Sequence, residues 1–210
     1  MRDEVNRKFR VIALGDAGVG KTSLLTRYVH STFSERRKPT VGVDHLRKKY
    51  RYGPEMVEVK VFDPVGQDRF RSLLTAFYRD VDMCFLMFDL TNKESFRNAY
   101  YWYNEFKEKN NNTCESEFVI LIGNKSDLKE RTVSEKDIGK FLSHTDISCY
   151  YECSVKSGTA SRDFIDGKIH ELVKEKKAQE ELCASIVESD TFVLSNESIL
   201  RKPRRSCDCQ

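Results

Sequence analysis

The chain has 210 residues, 39% of them hydrophobic, and a formal net charge of +3. That length suits one domain with a sizeable core plus a tail, and so small a charge gives no general case for nucleic-acid binding. No apolar run is long enough to span a membrane, and the charged start Met1-Arg2-Asp3-Glu4 leads into no apolar signal segment, so a cytosolic protein is expected. The cysteines number seven and show no paired zinc spacing, which argues against a disulfide framework.

Residues 1–8 are polar and are expected to fray. Residues 9–14 are apolar apart from Arg10 and read as a buried strand. Gly15-Asp16-Ala17-Gly18-Val19-Gly20-Lys21-Thr22 follows, and residues 23–30 then carry Leu24, Leu25, Tyr28 and Val29 at helical spacing. Strand, glycine-rich turn and helix form the context of a phosphate-binding loop. Glycines let consecutive N–H groups converge on an anion without Cβ clashes, and the helix points its positive end at the same place. Lys21 can then reach the β- and γ-phosphates, and the Thr22 hydroxyl can ligate Mg²⁺. A glycine-rich turn with no ligand is the bland alternative, which the full eight-residue pattern disfavours.

Residues 31–40 read as a polar loop, with Arg36–Lys38 as a solvated charge run. Residues 43–52 and 56–63 read as a hairpin around Tyr52-Gly53-Pro54-Glu55, the second run alternating at period two. Asp63 closes that strand beside the phosphate loop, where a carboxylate can hold Mg²⁺ through a water. Residues 83–89 and 118–124 are almost wholly apolar, as strands covered on both faces are. A helix is expected over 95–109; its Phe96, Tyr100, Tyr103 and Phe106 read as packing residues, not a ligand box. Another is expected over 134–143, with Ser134 as N-cap and Asp137 completing the cap. A last strand covers 150–154, and a final helix runs from about 160 to about 183. This alternation predicts an α/β fold, a doubly wound and mostly parallel six-stranded sheet with helices on both faces. Ligands of such sheets sit beyond the carboxyl ends of the strands, where all these motifs fall.

Residues 9–175 resemble the Rab family of small GTPases, a P-loop NTPase fold. Asn124-Lys125-Ser126-Asp127 matches that family's Asn-Lys-x-Asp. A carboxylate can accept from both N1–H and N2–H₂ of guanine, donors that adenine does not present together. The resemblance makes Asp127 the guanine reader, Asn124 a brace and Lys125 a packing partner of the base. Ser154-Val155-Lys156 is similar to the family's Ser-Ala-Lys loop, whose backbone amide meets guanine O6. It also assigns the nucleotide Gly15, Ala17, Gly18, Val19, Gly20, Lys21, Thr22 and Ser23. Thr40 resembles the first switch threonine, implying a metal set of Thr22, Thr40 and Asp63. Gly66 would bind the γ-phosphate and Gln67 orient the attacking water, with Lys21 as the other catalytic group. The implied cofactors are GTP or GDP and Mg²⁺, and release of the γ-phosphate would free both switch loops. Asn104-Glu105-Phe106, Ser189-Asp190-Thr191 and Arg201-Lys202-Pro203 are similar to members acting between late endosomes and the trans-Golgi.

Departures from the family pattern shape the expected mechanism. The second switch begins Phe62-Asp63-Pro64-Val65-Gly66-Gln67 where the family has Trp-Asp-Thr-Ala-Gly-Gln. Pro64 fixes φ and has no N–H; Val65 is β-branched beside Gly66. With Ala17 near the γ-phosphate, these predict slow hydrolysis. His45 joins Phe62 and Phe77 in the aromatic triad that effectors read, and Arg37 stands near a position where many Rabs put an aromatic over the base.

The expected boundaries are 1–8 for a flexible start, 9–177 for the GTPase domain and 178–210 for a variable tail. Cys207 and Cys209 resemble a double geranylgeranylation signal; a C-a-a-X reading from Cys207 is open, though Asp208 is a poor aliphatic. Two lipids with Arg201–Arg205 would hold an anionic membrane. The implied partners are an exchange factor, a GTPase-activating protein, effectors, a prenyl escort and a GDP-dissociation inhibitor, around a monomer. Its place would be the cytoplasmic face of a late-endosome or trans-Golgi membrane, with a soluble pool. Two readings compete: a cycling trafficking switch, and a GTP-binding scaffold that hydrolyses too slowly to cycle. A P-loop kinase or ATPase is disfavoured by Asp127.

Overall fold

A computed structural model of the chain describes residues 5–34, 40, 43–64, 76–110, 118–158 and 162–199, the side chains of the last segment only to 182. The chain divides into two compact units, residues 1–169 and 170–210. The division falls before the expected boundary at 177, inside the last helix. The described elements run β1 (Arg7–Leu14), α1 (Lys21–His30), β2 (Val43–Tyr52), β3 (Glu55–Pro64), β4 (Met83–Asp89), α2 (Lys93–Lys109), β5 (Val119–Asn124), α3 (Glu135–Ser143), β6 (Cys149–Glu152) and α4 (Arg162–Ile199).

The sheet has six strands in the order β2-β3-β1-β4-β5-β6. Only β2 and β3 pair antiparallel; the other neighbours are parallel. All seven residues of β4 and all six of β5 are buried, as the continuous apolar runs predict for central parallel strands. Each fully buried Val, Leu, Ile or Phe there contributes about 1.5–3 kcal/mol of transfer free energy. The helices lie on both faces, as two adjacent tyrosines of β6 demonstrate. Tyr150 stacks on Phe88 of β4, which meets Phe96 of α2, while Tyr151 stacks on Phe164 of α4 at 3.7 Å between centroids. Neighbouring side chains of a strand point to opposite faces, so α2 and the first turn of α4, which carries Phe164, cover different sides.

Some boundaries differ from expectation for local reasons. β1 begins at Arg7, not at 9, because Arg7 pairs with Glu55 at 2.8 Å and its backbone with Val57; residues 7 and 8 are thus strand and not fray. α2 begins at Lys93 because Asn92 caps it, accepting from the N–H groups of Glu94 and Ser95. Ser134 and Asp137 do form the expected reciprocal capping box. β6 stops at Glu152, leaving Cys153 and Ser154 in the loop. α4 continues to Ile199, past the expected end near 183. No helix among the described residues is long and apolar enough to cross a membrane.

Candidate nucleotide and metal site

The phosphate-loop residues stand between β1 and α1. Gly15, Gly18 and Gly20 all have positive φ, at 135°, 79° and 105°. Two of them are also sterically required. A Cβ on Gly15 would lie 2.2 Å from the Met87 carbonyl oxygen, and one on Gly20 would lie 2.2 Å from Asn124 Nδ2. Gly20 is the N-cap of α1 and offers no side-chain cap. The first N–H groups of α1, beginning with Lys21, Thr22 and Ser23, therefore present an uncapped positive helix end to an anion. Ala17 and Gly18 are exposed at the tip of the loop, and Val19 is buried beneath it.

Lys21 curls back over the loop and donates to the carbonyls of Gly15 at 2.7 Å and Asp16 at 2.8 Å. Burial pushes its amine down to about 8, against the opposing pull of Asp63 and Asp16. Among the described residues its hydrogen-bond acceptors are these two carbonyls, and a buried ammonium so placed suits an anion such as a phosphate. Thr22 Oγ1 donates to Asp63 Oδ2 at 2.5 Å and shares a hydrogen bond with Thr40 Oγ1 at 2.9 Å. The three expected metal residues therefore meet at one point. Their donors are all oxygens, two hydroxyls and one carboxylate, which fits Mg²⁺, an ion that takes few protein ligands and fills its octahedron with phosphates and water.

Asn124 joins this phosphate side to the base side. Its Nδ2 donates to the Val19 carbonyl at 2.8 Å, and its Oδ1 accepts the Val155 N–H at 3.0 Å. Val155 N–H is thus engaged in fixing its loop. Ser154 Oγ donates to Asp127 Oδ1 at 2.5 Å and accepts the Ser157 N–H at 3.0 Å. Asp127 is exposed, at the rim, and Lys156 is exposed beside it. Lys125 adopts a left-handed φ of 67° and pairs with Asp89 Oδ2 at 2.6 Å. Burial raises the Asp89 pKa, but the hydrogen bonds from Lys125 and Thr91 prevail and hold it below the ordinary carboxylate range. Cys153, beneath the same loop, is pushed up to about 12 by burial, so it is a packing thiol and not a nucleophile.

Three supports were not read from the sequence. Arg27 of α1 donates to the carbonyls of Val155 at 2.5 Å and Lys156 at 3.1 Å, and its guanidinium lies 5.8 Å from the Phe33 ring centre. Asp16 accepts from Trp102 Nε1 at 2.8 Å and Asn98 Nδ2 at 2.7 Å, tying the phosphate loop to α2. Asp89 was legible only as the last residue of an apolar strand, a position where parallel sheets place ligand-site groups. His45 stands opposite Phe62 in the sheet register, and Phe62 meets Phe77 at 5.7 Å between ring centres. Pro64 ends β3 opposite Val43 and is buried. Arg37, Val65, Gly66, Gln67, Cys207 and Cys209 lie outside the described residues.

The Ras family profile matches residues 10–174. The chain is 35% identical over 207 residues to mouse Ras-related protein Rab-9A, covering 96% of each. It is 36% identical over 175 residues to Ras-related protein Rab7 of Cenchrus ciliaris, covering 81% of this chain and 85% of that one. With Ras-related protein Rab-32D of Dictyostelium discoideum it shares 33% over 174 residues, 81% of this chain and 76% of that one.

Proposed function

Because the chain belongs to the Ras family and is a Rab-type small GTPase, we propose that it is a membrane-tethered GTP/GDP switch with a slow intrinsic rate, acting in vesicle trafficking between late endosomes and the trans-Golgi. The observation that carries the nucleotide reading is the Asn124 side chain, which links the phosphate loop at Val19 to the base loop at Val155. It makes one continuous cradle of suitable chemistry at both ends.

In that cradle Lys21 and the N–H groups at the start of α1 hold the phosphates, and Asp127 takes the guanine edge. Mg²⁺ held by Thr22, Thr40 and Asp63 supplies neutralisation of charge on the phosphate oxygens. Thr40 shares a hydrogen bond with Thr22, so the first switch is anchored where the γ-phosphate is sensed. Gly66 and Gln67 serve as γ-phosphate contact and water-orienting group, and Cys207 and Cys209 carry the prenyl anchors. An exchange factor, an activating protein, effectors, an escort and a GDP-dissociation inhibitor drive the cycle.

Pro64 favours a second reading, a scaffold resting in the GTP state. It brings a fixed φ and no N–H to the strand end next to the metal carboxylate Asp63. Single-turnover GTP hydrolysis, alone and with a Rab-type activating domain, separates the two. Strong stimulation supports the cycling switch. Persistent bound GTP with no stimulation supports the scaffold, and absence of guanine-nucleotide binding refutes both.

A further inference from the structure

Lys125 occupies a backbone conformation that suits glycine better than lysine. Its φ is 67°, and among the described residues other than glycine only Ser31 and Asp80 share a positive φ. Strained positions of this kind gather at ligand sites. The turn itself accounts for the conformation: the Lys125 carbonyl accepts the Leu128 N–H at 3.0 Å, and the Ser126 N–H reaches the Cys153 carbonyl at 3.1 Å. Glycine would make the same turn without strain, so the lysine is there for its side chain. That side chain is tied to a buried partner. Lys125 Nζ meets Asp89 Oδ2 at 2.6 Å, with Asp89 7% exposed and Lys125 half-buried. Register brings the two together. Asp89 at the end of β4 stands directly beside Asn124 at the end of β5, and the Leu90 N–H donates to the Asn124 carbonyl at 3.0 Å.

The two oxygens of Asp89 do different work. Oδ1 accepts the Thr91 N–H at 2.9 Å and the Thr91 hydroxyl at 2.7 Å, shaping the turn that leads into α2. An asparagine oxygen accepts the same two bonds, so the turn does not require a charge. Oδ2 does, because it faces the ammonium. Burying a carboxylate to pair a half-exposed lysine is a poor way to gain stability, since desolvation offsets much of the attraction. The gain lies at the site. Asp127 stands two residues after Lys125, is exposed, and has one oxygen already taken by the Ser154 hydroxyl. An ammonium released from Asp89 is drawn to that carboxylate, where it would compete with the two N–H donors of a guanine edge. Asp89 is the acceptor that holds it elsewhere.

We propose that Asp89 is a positioning residue for base recognition: by holding the Lys125 ammonium it keeps Asp127 open for the guanine edge. The proposal rests on the nucleotide reading above and deepens it by adding to the base loop a residue from β4.

Asp89→Asn keeps an oxygen for Thr91 and sets an NH₂ group against the ammonium, donor facing donor. In the full chain with Mg²⁺, release of fluorescently labelled GDP should quicken about threefold, the size of an exposed ion pair. The competing pair is at the surface, so raising salt should bring the ratio of variant to parent rates back toward one. In a Lys125→Gln background, where no ammonium remains to be held, Asp89→Asn should add nothing. Thr91→Val removes the hydroxyl bond to Oδ1 and is the control for the turn: it should lower the melting temperature and leave the release rate unchanged. An Asp89→Asn rate equal to the parent's would overturn the proposal. So would an acceleration that salt does not reduce, one that persists in the Lys125→Gln background, or one that Thr91→Val reproduces. If Asp89→Asn alone does not fold, Asp89→Asn/Lys125→Gln, which leaves no ammonium opposite the new amide, is compared with Lys125→Gln. Equal release supports the proposal, and faster release by the double variant sinks it. A parent chain that binds no GDP would refute the nucleotide reading and this role together. A parent that binds GDP and a variant that behaves alike refute this role alone.

Discussion

The two halves of the nucleotide cradle are built by different means. The phosphate half is held by backbone conformation: three glycines at positive φ, two of them without room for a Cβ, and a helix end without a side-chain cap. The base half is held by side chains, with Asn124, Ser154 and Arg27 each fastening a loop by hydrogen bonds. Backbone-built sites should fail abruptly on substitution, because side chains rarely adopt the conformation and at Gly15 and Gly20 a Cβ has no room. Side-chain-built sites should fail by degrees, one hydrogen bond at a time.

The largest effect expected is that of Gly20→Ala. Its Cβ would fall 2.2 Å from Asn124 Nδ2 at a φ of 105°, adding a clash to a backbone strain of about 1–3 kcal/mol. GDP affinity measured by calorimetry should fall at least about 100-fold, since each 1.4 kcal/mol is roughly a factor of ten. Near-normal affinity would show that the phosphate half is not backbone-built. Asn124→Ala comes next. It leaves the buried Val19 carbonyl and the Val155 N–H unpaired, about 1–3 kcal/mol each, so both the melting temperature and nucleotide affinity should drop, the affinity by about tenfold or more.

Arg27→Ala should be milder. The base loop loses two charge-assisted bonds near the surface but keeps Asn124 and Ser154. Release of labelled GDP should quicken by about tenfold, with phosphate contacts intact. Arg27→Lys should restore little, because one ammonium does not reproduce a guanidinium fork across two carbonyls. An unchanged release rate would remove Arg27 from the base half.

The smallest effect concerns Lys21. Its pKa in the folded, nucleotide-free chain is about 8, below its free value of 10.5. Between those values the unfolded chain holds a proton that the folded chain lacks, so stability should rise with pH through that window. From about pH 8 to pH 9 the gain approaches 1 kcal/mol. Lys21→Met should flatten the slope. Bound phosphates restore the ammonium, so nucleotide binding above pH 8 should take up a proton, which calorimetry in buffers of different ionisation enthalpy would detect.

The same contrast explains what was legible in the sequence. The phosphate half is local: glycines, Lys21 and Thr22 fall within eight residues, and their chemistry can be read in order. The buried strands were legible because continuous apolar runs have one main use in a parallel sheet. The base half depends on contacts between distant segments. Arg27 meets Val155 across 128 positions and Trp102 meets Asp16 across 86, and no spacing rule links such pairs. The start of α2 was misread because Asn92 resembled any loop polar residue until its side chain was seen to accept two helix N–H groups.

Trp102 is the chain's single tryptophan, and its indole N–H rests on the Asp16 carboxylate at 2.8 Å. The molecule therefore has one strong fluorophore, and it is wired to the phosphate loop. Any ligand that draws Asp16 away from α2 alters the electric field at that indole. Stopped-flow emission of the unlabelled protein becomes an optical gauge of loop occupancy, with Trp102→Phe as its built-in blank.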